Sequence, residues 1–331
     1  LIQGRCAHVT DPQPVHFEQG RVKCQHRNLC VRGCPLGGYF SSNASTLPWA
    51  AKTGKMTLRP DSIVHSIIYD EKKGKATGVR VIDAHTNDLT EYSADVIFVN
   101  AGAFNSNLIL LNSTSSRFPN GLGNDSGLLG KYIIWHNYRG RISAKCEAFE
   151  DMRTKGKTPN HSYIPRFRNV TKQETDFLRG YAVGIGAGRG NNFNTTGIGE
   201  DLKNSLLHPA LGDWNVSGWM MGEVIPREHN HVRLHETLKD SNGMPQLVIS
   251  TEWSENEDKM VLDFMEQLSE MFDKAGFKDI QARDSHANPG NDIHEMGGAR
   301  MGNDPKTSVL NQWNQLHACK NVFVTDGACM T

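Results

Sequence analysis

Nine residues near the C-terminal end constrain this chain more than any other stretch. His294-Glu295-Met296-Gly297-Gly298-Ala299-Arg300-Met301-Gly302 places three glycines around a histidine and an arginine, and Asn303-Asp304-Pro305 closes the run. Glycine has no Cβ, so such a segment can lay its backbone close against something flat or bulky. The spacing alone also allows a plain glycine loop with a solvent-exposed histidine. Further on, Asn321-Val322-Phe323-Val324-Thr325 reads as an apolar strand that runs into the turn Asp326-Gly327-Ala328.

The rest of the chain supplies a scaffold of matching complexity. Its 331 residues are enough for one large domain or two of ordinary size. Apolar residues make up 37% and glycine 32 positions, so loops and tight turns should take a large share. Lys+Arg and Asp+Glu are both 36, which leaves no general electrostatic case for nucleic acid or an anionic membrane surface. No run of 18 apolar residues is present, so no membrane-spanning helix is expected. Leu1 is not a methionine and no signal segment follows it, so any targeting peptide is expected to be cleaved or upstream. Both ends are read as cuts.

Local patterns divide the chain. Residues 1 to about 50 are loop-like, rich in Gly, Asn, Ser, Cys and His. Ile63–Tyr69, the turn Glu71–Gly74, Gly78–Ile82 and the turn Thr86–Asp88 form a β-meander signature. Val96-Ile97-Phe98-Val99 is a continuous apolar run suited to a strand buried on both faces, followed by Ala101-Gly102-Ala103 and a helix through Leu108–Leu111. Between about 137 and 285, strand-like pieces alternate with polar loops. Within that stretch Ser254 and Glu257 form a capping box. Val261, Phe264, Met265, Leu268, Met271 and Phe272 then share one helical face, and Gly276 supplies the stop.

The glycine loop and the Asp-Gly-Ala strand together closely resemble the C-terminal signature of the glucose–methanol–choline oxidoreductase family: a His, a Gly pair, Arg-Met-Gly, Asp-Pro, and later Asp-Gly at the flavin. Asn100–Ser106 resembles the turn that approaches the flavin, Gly127–Tyr132 followed by His136 the segment entering the substrate domain, and Gly222–Pro226 the start of that domain's later half. The resemblance implies an α/β plus α+β fold: an incomplete Rossmann-like FAD-binding domain with an antiparallel-sheet substrate domain. The implied segments are 1–135 (FAD-binding, with the cysteine-rich loop), 136–285 (substrate-binding) and 286–331 (return to the FAD-binding domain). It implies FAD as cofactor, with Val64, Ala101, Gly102, Asp326 and Gly327 facing it, and His294 as catalytic base. A histidine near neutral pKa suits that role, because hydride leaves for the flavin while the hydroxyl proton needs its own acceptor. The family's second catalytic residue and its N-terminal G-x-G-x-x-G are expected beyond Thr331 and before Leu1.

Seven cysteines, Cys6, Cys24, Cys30, Cys34, Cys146, Cys319 and Cys329, argue against a fully paired disulfide framework. Cys24, Cys30 and Cys34 have the spacing C-x5-C-x3-C, followed by Pro35. That spacing is open to a metal centre, a zinc site completed by His26, a disulfide with a spare thiol, or free thiols. The resemblance to bacterial sugar dehydrogenases implies a [3Fe-4S] cluster on these cysteines. It further implies a cytochrome c or quinone-linked electron acceptor, a sugar or alcohol substrate, and a periplasmic or periplasm-facing membrane-associated location. An oxygen-using oxidase and a non-enzymatic iron–sulfur or zinc protein are the competing classes. The glycine-rich run Gly184–Gly190 is set aside as a phosphate loop, since Asn191–Gly197 after it is a poor helix former. His8, His208, His229 and His231 are read as structural, and Glu223 and Asn230 as candidates to line the substrate domain.

Overall fold

The computed structural model describes residues 1–27, 30–152, 161–193, 195–290 and 293–330; Asn28 and Leu29 of the cysteine motif, Asn194 after the glycine run, and Thr331 lie outside the described residues. The chain forms two compact units, Leu1–Leu58 with Tyr138–Gly222 and Asp258–His286, and Arg59–Asn137 with Glu223–Glu257 and Ala287–Thr331.

The first unit is built on a six-stranded antiparallel sheet in the order Ile2–Gln3, Ser162–Ile164, Tyr181–Gly188, Trp214–Gly222, Gly140–Cys146 and Lys278–Asp284. Alternation along the strands sends Ile142, Ala144, Val183, Val216 and Met220 to one face. They pack there on Met260, Val261, Phe264, Leu268 and Phe272 of the helix Glu255–Lys274. The expected stripe is therefore the core, with one shift: Met271 is 37% exposed, and Met260, a turn before Phe264, is fully buried. The capping pair forms in one direction, with Glu257 Oε2 accepting from Ser254 N at 3.0 Å. Gly276 takes a positive φ at the helix end. Gly184, Gly186 and Gly188 lie in the strand Tyr181–Gly188, not in a loop that opens a helix.

A charge cluster around the buried Arg139 ties this sheet's edge to the helix. Arg139 binds Asp284 through two nitrogens and reaches Asp258 at 2.6 Å. Burial alone pushes the Asp284 carboxyl up, but the Arg139 hydrogen bond, the His286 N–H and the Arg139 charge outweigh it and hold it below the ordinary value. A depressed carboxyl contributes stability above its unfolded pKa of about 3.9, and that stability is lost as pH falls through the lower folded value. Asp284→Asn should cost no more than about 3 kcal/mol at neutral pH, because Arg139 keeps Asp258, and should flatten the acid limb of melting temperature against pH. An unchanged acid limb would show that Asp284 does not carry it.

The second unit holds the meander Ser62–Asp70, Lys75–Asp83 and Leu89–Ser93, as expected. It also has a parallel pair, Ile97–Val99 with Val322–Val324, the helix Ala103–Asn112, and a four-stranded sheet ordered Pro245–Ser250, His231–Lys239, Lys131–Ile134, Met296–Gly298. Ile97 and Val99 are buried, but Phe98 is 59% exposed and stacks on Phe323 at 5.1 Å. The run expected to be buried on both faces is covered on one, since only that face meets the core around Leu110 and Val324.

Strand pairing explains why the compact units cut across the expected segments. Ile2–Gln3 pairs with Ser162–Ile164, which draws residues 1–58 into the first unit. His231–Lys239 pairs with Lys131–Ile134, which draws Glu223–Glu257 into the second. No helix among the described residues is long and apolar enough to cross a membrane.

Candidate active site

Asp326 is the hub of the second unit's candidate site. Its Oδ2 accepts from Gly102 N at 2.9 Å and Ser106 Oγ at 2.5 Å, and its Oδ1 accepts from Ala328 N at 3.0 Å. Ser106 Oγ also accepts from Ala101 N at 3.1 Å. Gly102 adopts φ +82° where the chain turns from strand into helix, a conformation costly for any residue with a Cβ. Four of the predicted residues, Ala101, Gly102, Asp326 and Gly327, thus form one cluster. Val64 takes no part in it: it pairs with Val81 in the meander and packs against the core.

The histidine loop is seated on this cluster. A Cβ on Gly327 would stand 2.6 Å from Glu295 O, and Ala299 N bonds Ala328 O at 3.0 Å. At Gly298, with φ +93°, an added Cβ would overlap the Asn107 side chain. Asn107 Nδ2 in turn donates to Gly297 O at 3.0 Å and Ala103 O at 2.8 Å. The glycines therefore serve backbone-to-backbone packing as well as any ligand.

His294, itself at φ +66°, is exposed, and its Nδ1 lies 3.0 Å from His136 Nε2. The rings meet edge to face, 5.1 Å between centroids. Local register is the cause. Met296 pairs with Ile134 in the antiparallel sheet, and continuing that register by two residues sets His294 opposite His136. In sequence His136 stands out only as part of the segment after Gly127–Tyr132; its place two residues past the apolar strand Lys131–Ile134 is the available signal. Asn230 is fully buried and binds Glu252 N through Oδ1 at 2.9 Å.

The cysteine motif, in the first unit, departs from expectation. All seven cysteines are free thiols, and among the described residues no three His, Cys, Asp or Glu side chains gather as a metal-holding group. Cys24 N is tied to Val9 O at 2.8 Å. Cys30 Sγ instead faces His8 Nε2 at 3.1 Å, an interaction the sequence did not suggest. Burial pushes the Cys34 thiol up, but N–H groups of Tyr39, Leu36 and Gly38 and the Arg27 charge hold it below its ordinary value. The [3Fe-4S] cluster expected on Cys24, Cys30 and Cys34 is not supported: the three are free thiols, and none of them belongs to a metal-holding group among the described residues. Among the described residues His26 likewise joins no metal-holding group.

Two family models described as GMC oxidoreductase match the chain, at residues 14–136 and 226–331. The chain belongs to the GMC oxidoreductase family. Among curated proteins this GMC oxidoreductase chain is 29% identical to 2-methyl-1,2-propanediol dehydrogenase of Mycolicibacterium austroafricanum, over 91% of this chain and 54% of the relative. It is 25% identical to the fructose dehydrogenase large subunit of Gluconobacter japonicus, over 94% and 56%. It is 26% identical to paromamine 6'-oxidase of Streptomyces fradiae, over 95% and 56%. The chain thus spans about half the length of the curated relatives it matches. Among solved structures it resembles an FAD-dependent oxidoreductase from Chaetomium thermophilum, with TM-score 0.53 and 11% identity over 88% of this chain and 60% of that one. It also resembles a formate oxidase variant from Aspergillus oryzae, with TM-score 0.54 and 12% identity over 83% and 56%. The fold of this GMC chain is accordingly the mixed α/β, antiparallel-sheet fold of FAD-dependent oxidoreductases.

Proposed function

We propose that this chain carries the flavin-facing turn and the proton acceptor of an FAD-dependent dehydrogenase acting on a hydroxyl group of a sugar, glycoside or polyol. The observation that carries the reading is the His294–His136 pair on a loop seated against the Asp326 cluster. The residues present fit a flavin. Ala101 and Gly102 are exposed, and a Cβ on Gly102 would meet nothing within 4 Å, so a large planar group can approach the backbone there. Bound FAD would supply the acceptor for the hydride leaving the substrate carbon.

The chain's own task is the proton. Neutral His294 can take the hydroxyl proton on Nε2 only if its own proton sits on Nδ1. His136 Nε2 must then be the acceptor of the 3.0 Å hydrogen bond. His136 so selects the working tautomer, and continues to accept from Nδ1 when His294 carries both protons, much as a buried partner orients a general base elsewhere.

The relatives named for 2-methyl-1,2-propanediol and for fructose support a hydroxyl-bearing substrate. The test is anaerobic mixing of the flavin-loaded protein with glucose, gluconate, a glucoside and a short diol. Bleaching of the flavin band by at least one is expected; an unbleached flavin with all of them overturns the reading. A cytochrome or quinone acceptor, expected through a metal cluster, has no more support than that cluster. Stoichiometric hydrogen peroxide in air would instead assign the oxidase branch, which the paromamine relative's name favours.

A further inference from the structure

Arg21 and Arg139 are the buried arginines among the described residues, 6% and 8% exposed. Arg139 is paired with two carboxylates, Asp258 and Asp284. Arg21 has only uncharged partners among the described residues. Its Nε donates to Gly37 O at 2.8 Å, and its Nη1 makes long contacts to Ser45 Oγ at 3.4 Å and Gln19 Oε1 at 3.5 Å. The Phe40 ring, 5.6 Å from Cζ, adds a π face. Nη2 donates to no atom of the described residues, yet it is not one of the polar atoms sealed off without a partner. A buried guanidinium without a counter-charge is costly, and proteins keep buried charges paired.

Arg21 lines a cavity of about 310 Å³ with His16, Phe40, Val9, Thr10 and Asp11, which gives its unused N–H groups an opening. That volume is at the lower end for ligand sites and suits a molecule of a few carbons. Backbone bonds set the walls: Val9 N to Gly38 O at 2.7 Å, Phe40 N to Ala7 O at 2.9 Å and Arg21 N to His16 O at 2.8 Å. A Cβ on Gly37 would stand 2.8 Å from Arg21 Cγ, so the turn closes directly on the arginine stem. His16 Nδ1 accepts from Gln13 N at 2.9 Å. The proton of the neutral ring therefore sits on Nε2, and no acceptor among the described residues takes it. Phe40, 43% exposed, adds apolar surface, and Asp11 is exposed on the same lining. His8, also on the lining, is engaged by Cys30.

We propose that this cavity binds a small organic acid as its monocarboxylate. The carboxylate supplies the counter-charge that Arg21 lacks and accepts from Nη2, with His16 Nε2–H as a second donor. Phe40 covers a short carbon chain. Asp11 sets one negative charge on the lining, which disfavours a ligand bringing a second and so separates a monocarboxylate from a dicarboxylate or phosphate. The site stands on residues 7–45 alone and holds whether or not the flavin reading does.

Calorimetric titration of the protein with butanoate, butanamide, succinate and inorganic phosphate tests it. Butanoate should bind saturably. Butanamide has the shape without the charge and should bind more weakly by roughly tenfold or more. Succinate and phosphate carry the second charge and should also be weaker than butanoate. Arg21→Gln sets an N–H where Nε stands, which keeps the bond to Gly37 O, and should bind butanoate no better than the amide. Asp11→Asn, at an exposed position where folding is not at risk, should bring succinate closer to butanoate. Absence of saturable butanoate binding at millimolar concentration overturns the proposal. So does equal affinity of the unaltered protein for butanoate and butanamide, a result that needs no variant to fold. An Arg21→Gln protein that still prefers butanoate to the amide overturns it as well, and an Asp11→Asn protein that discriminates against succinate as before overturns the monocarboxylate preference.

Discussion

His294→Ala should leave FAD bound and slow its reduction by substrate by roughly a hundredfold or more, the scale of a lost general base. The alanine removes the only imidazole on the loop between the Asp326 cluster and His136, while the packing of Gly297, Gly298 and Ala299 beneath it is untouched. Flavin content and melting temperature should therefore stay near wild type. Rapid-mixing absorbance separates the two effects, since bound flavin is counted before substrate is added. His136→Ala should give a smaller loss, with kcat falling more than KM rises, because it frees the His294 tautomer without removing the base. Near-normal reduction in His294→Ala removes that residue from the chemistry, and a full rate in His136→Ala removes the orienting role.

Asp326→Ala should have the largest structural consequence. It strands three donors at once: Gly102 N, Ser106 Oγ and Ala328 N. Water can reach Gly102, which is exposed, but Ser106 and Ala328 are fully buried. Each buried donor left without a partner costs about 1–3 kcal/mol, so a loss of roughly 2–5 kcal/mol is expected. Because the same carboxylate fixes the turn at Ala101–Gly102, flavin should also be lost on gel filtration at temperatures where the protein remains folded. Asp326→Asn keeps one acceptor oxygen and should lie between the two. An alanine variant that melts like wild type and retains flavin would mean that the Gly102 turn is held by something other than Asp326.

The same patterns that were readable in the sequence are those set by near neighbours along the chain. The stripe Val261, Phe264, Leu268 and Phe272 follows from helical periodicity, and the meander from alternation broken at polar turns. The clustering of Asp326 with Gly102 was implied by family resemblance, and the structure supplies its cause in three hydrogen bonds to one carboxylate. Continuous apolarity in Val96–Val99 carries no information on how many layers cover a strand, so the exposure of Phe98 was missed.

Three features belong to tertiary structure alone. His136 and His294 are separated by 158 positions and meet because one antiparallel register, Met296 with Ile134, is chosen over its neighbours. A slip of one residue would send the rings to opposite faces, and that choice is settled by packing across the whole sheet. Cysteine spacing permits convergence without requiring it, and it is the fold that sets Cys30 Sγ against His8 and the Cys34 thiol among the N–H groups of Leu36, Gly38 and Tyr39. Gly184 is held to glycine only when Trp219 arrives from the adjacent strand, since an added Cβ would overlap the indole. Sequence, through local sterics and periodicity, determined which segments are strands, helices and tight turns. Which side chains face one another was decided by strand register and core packing, which sum over contacts distant in the chain.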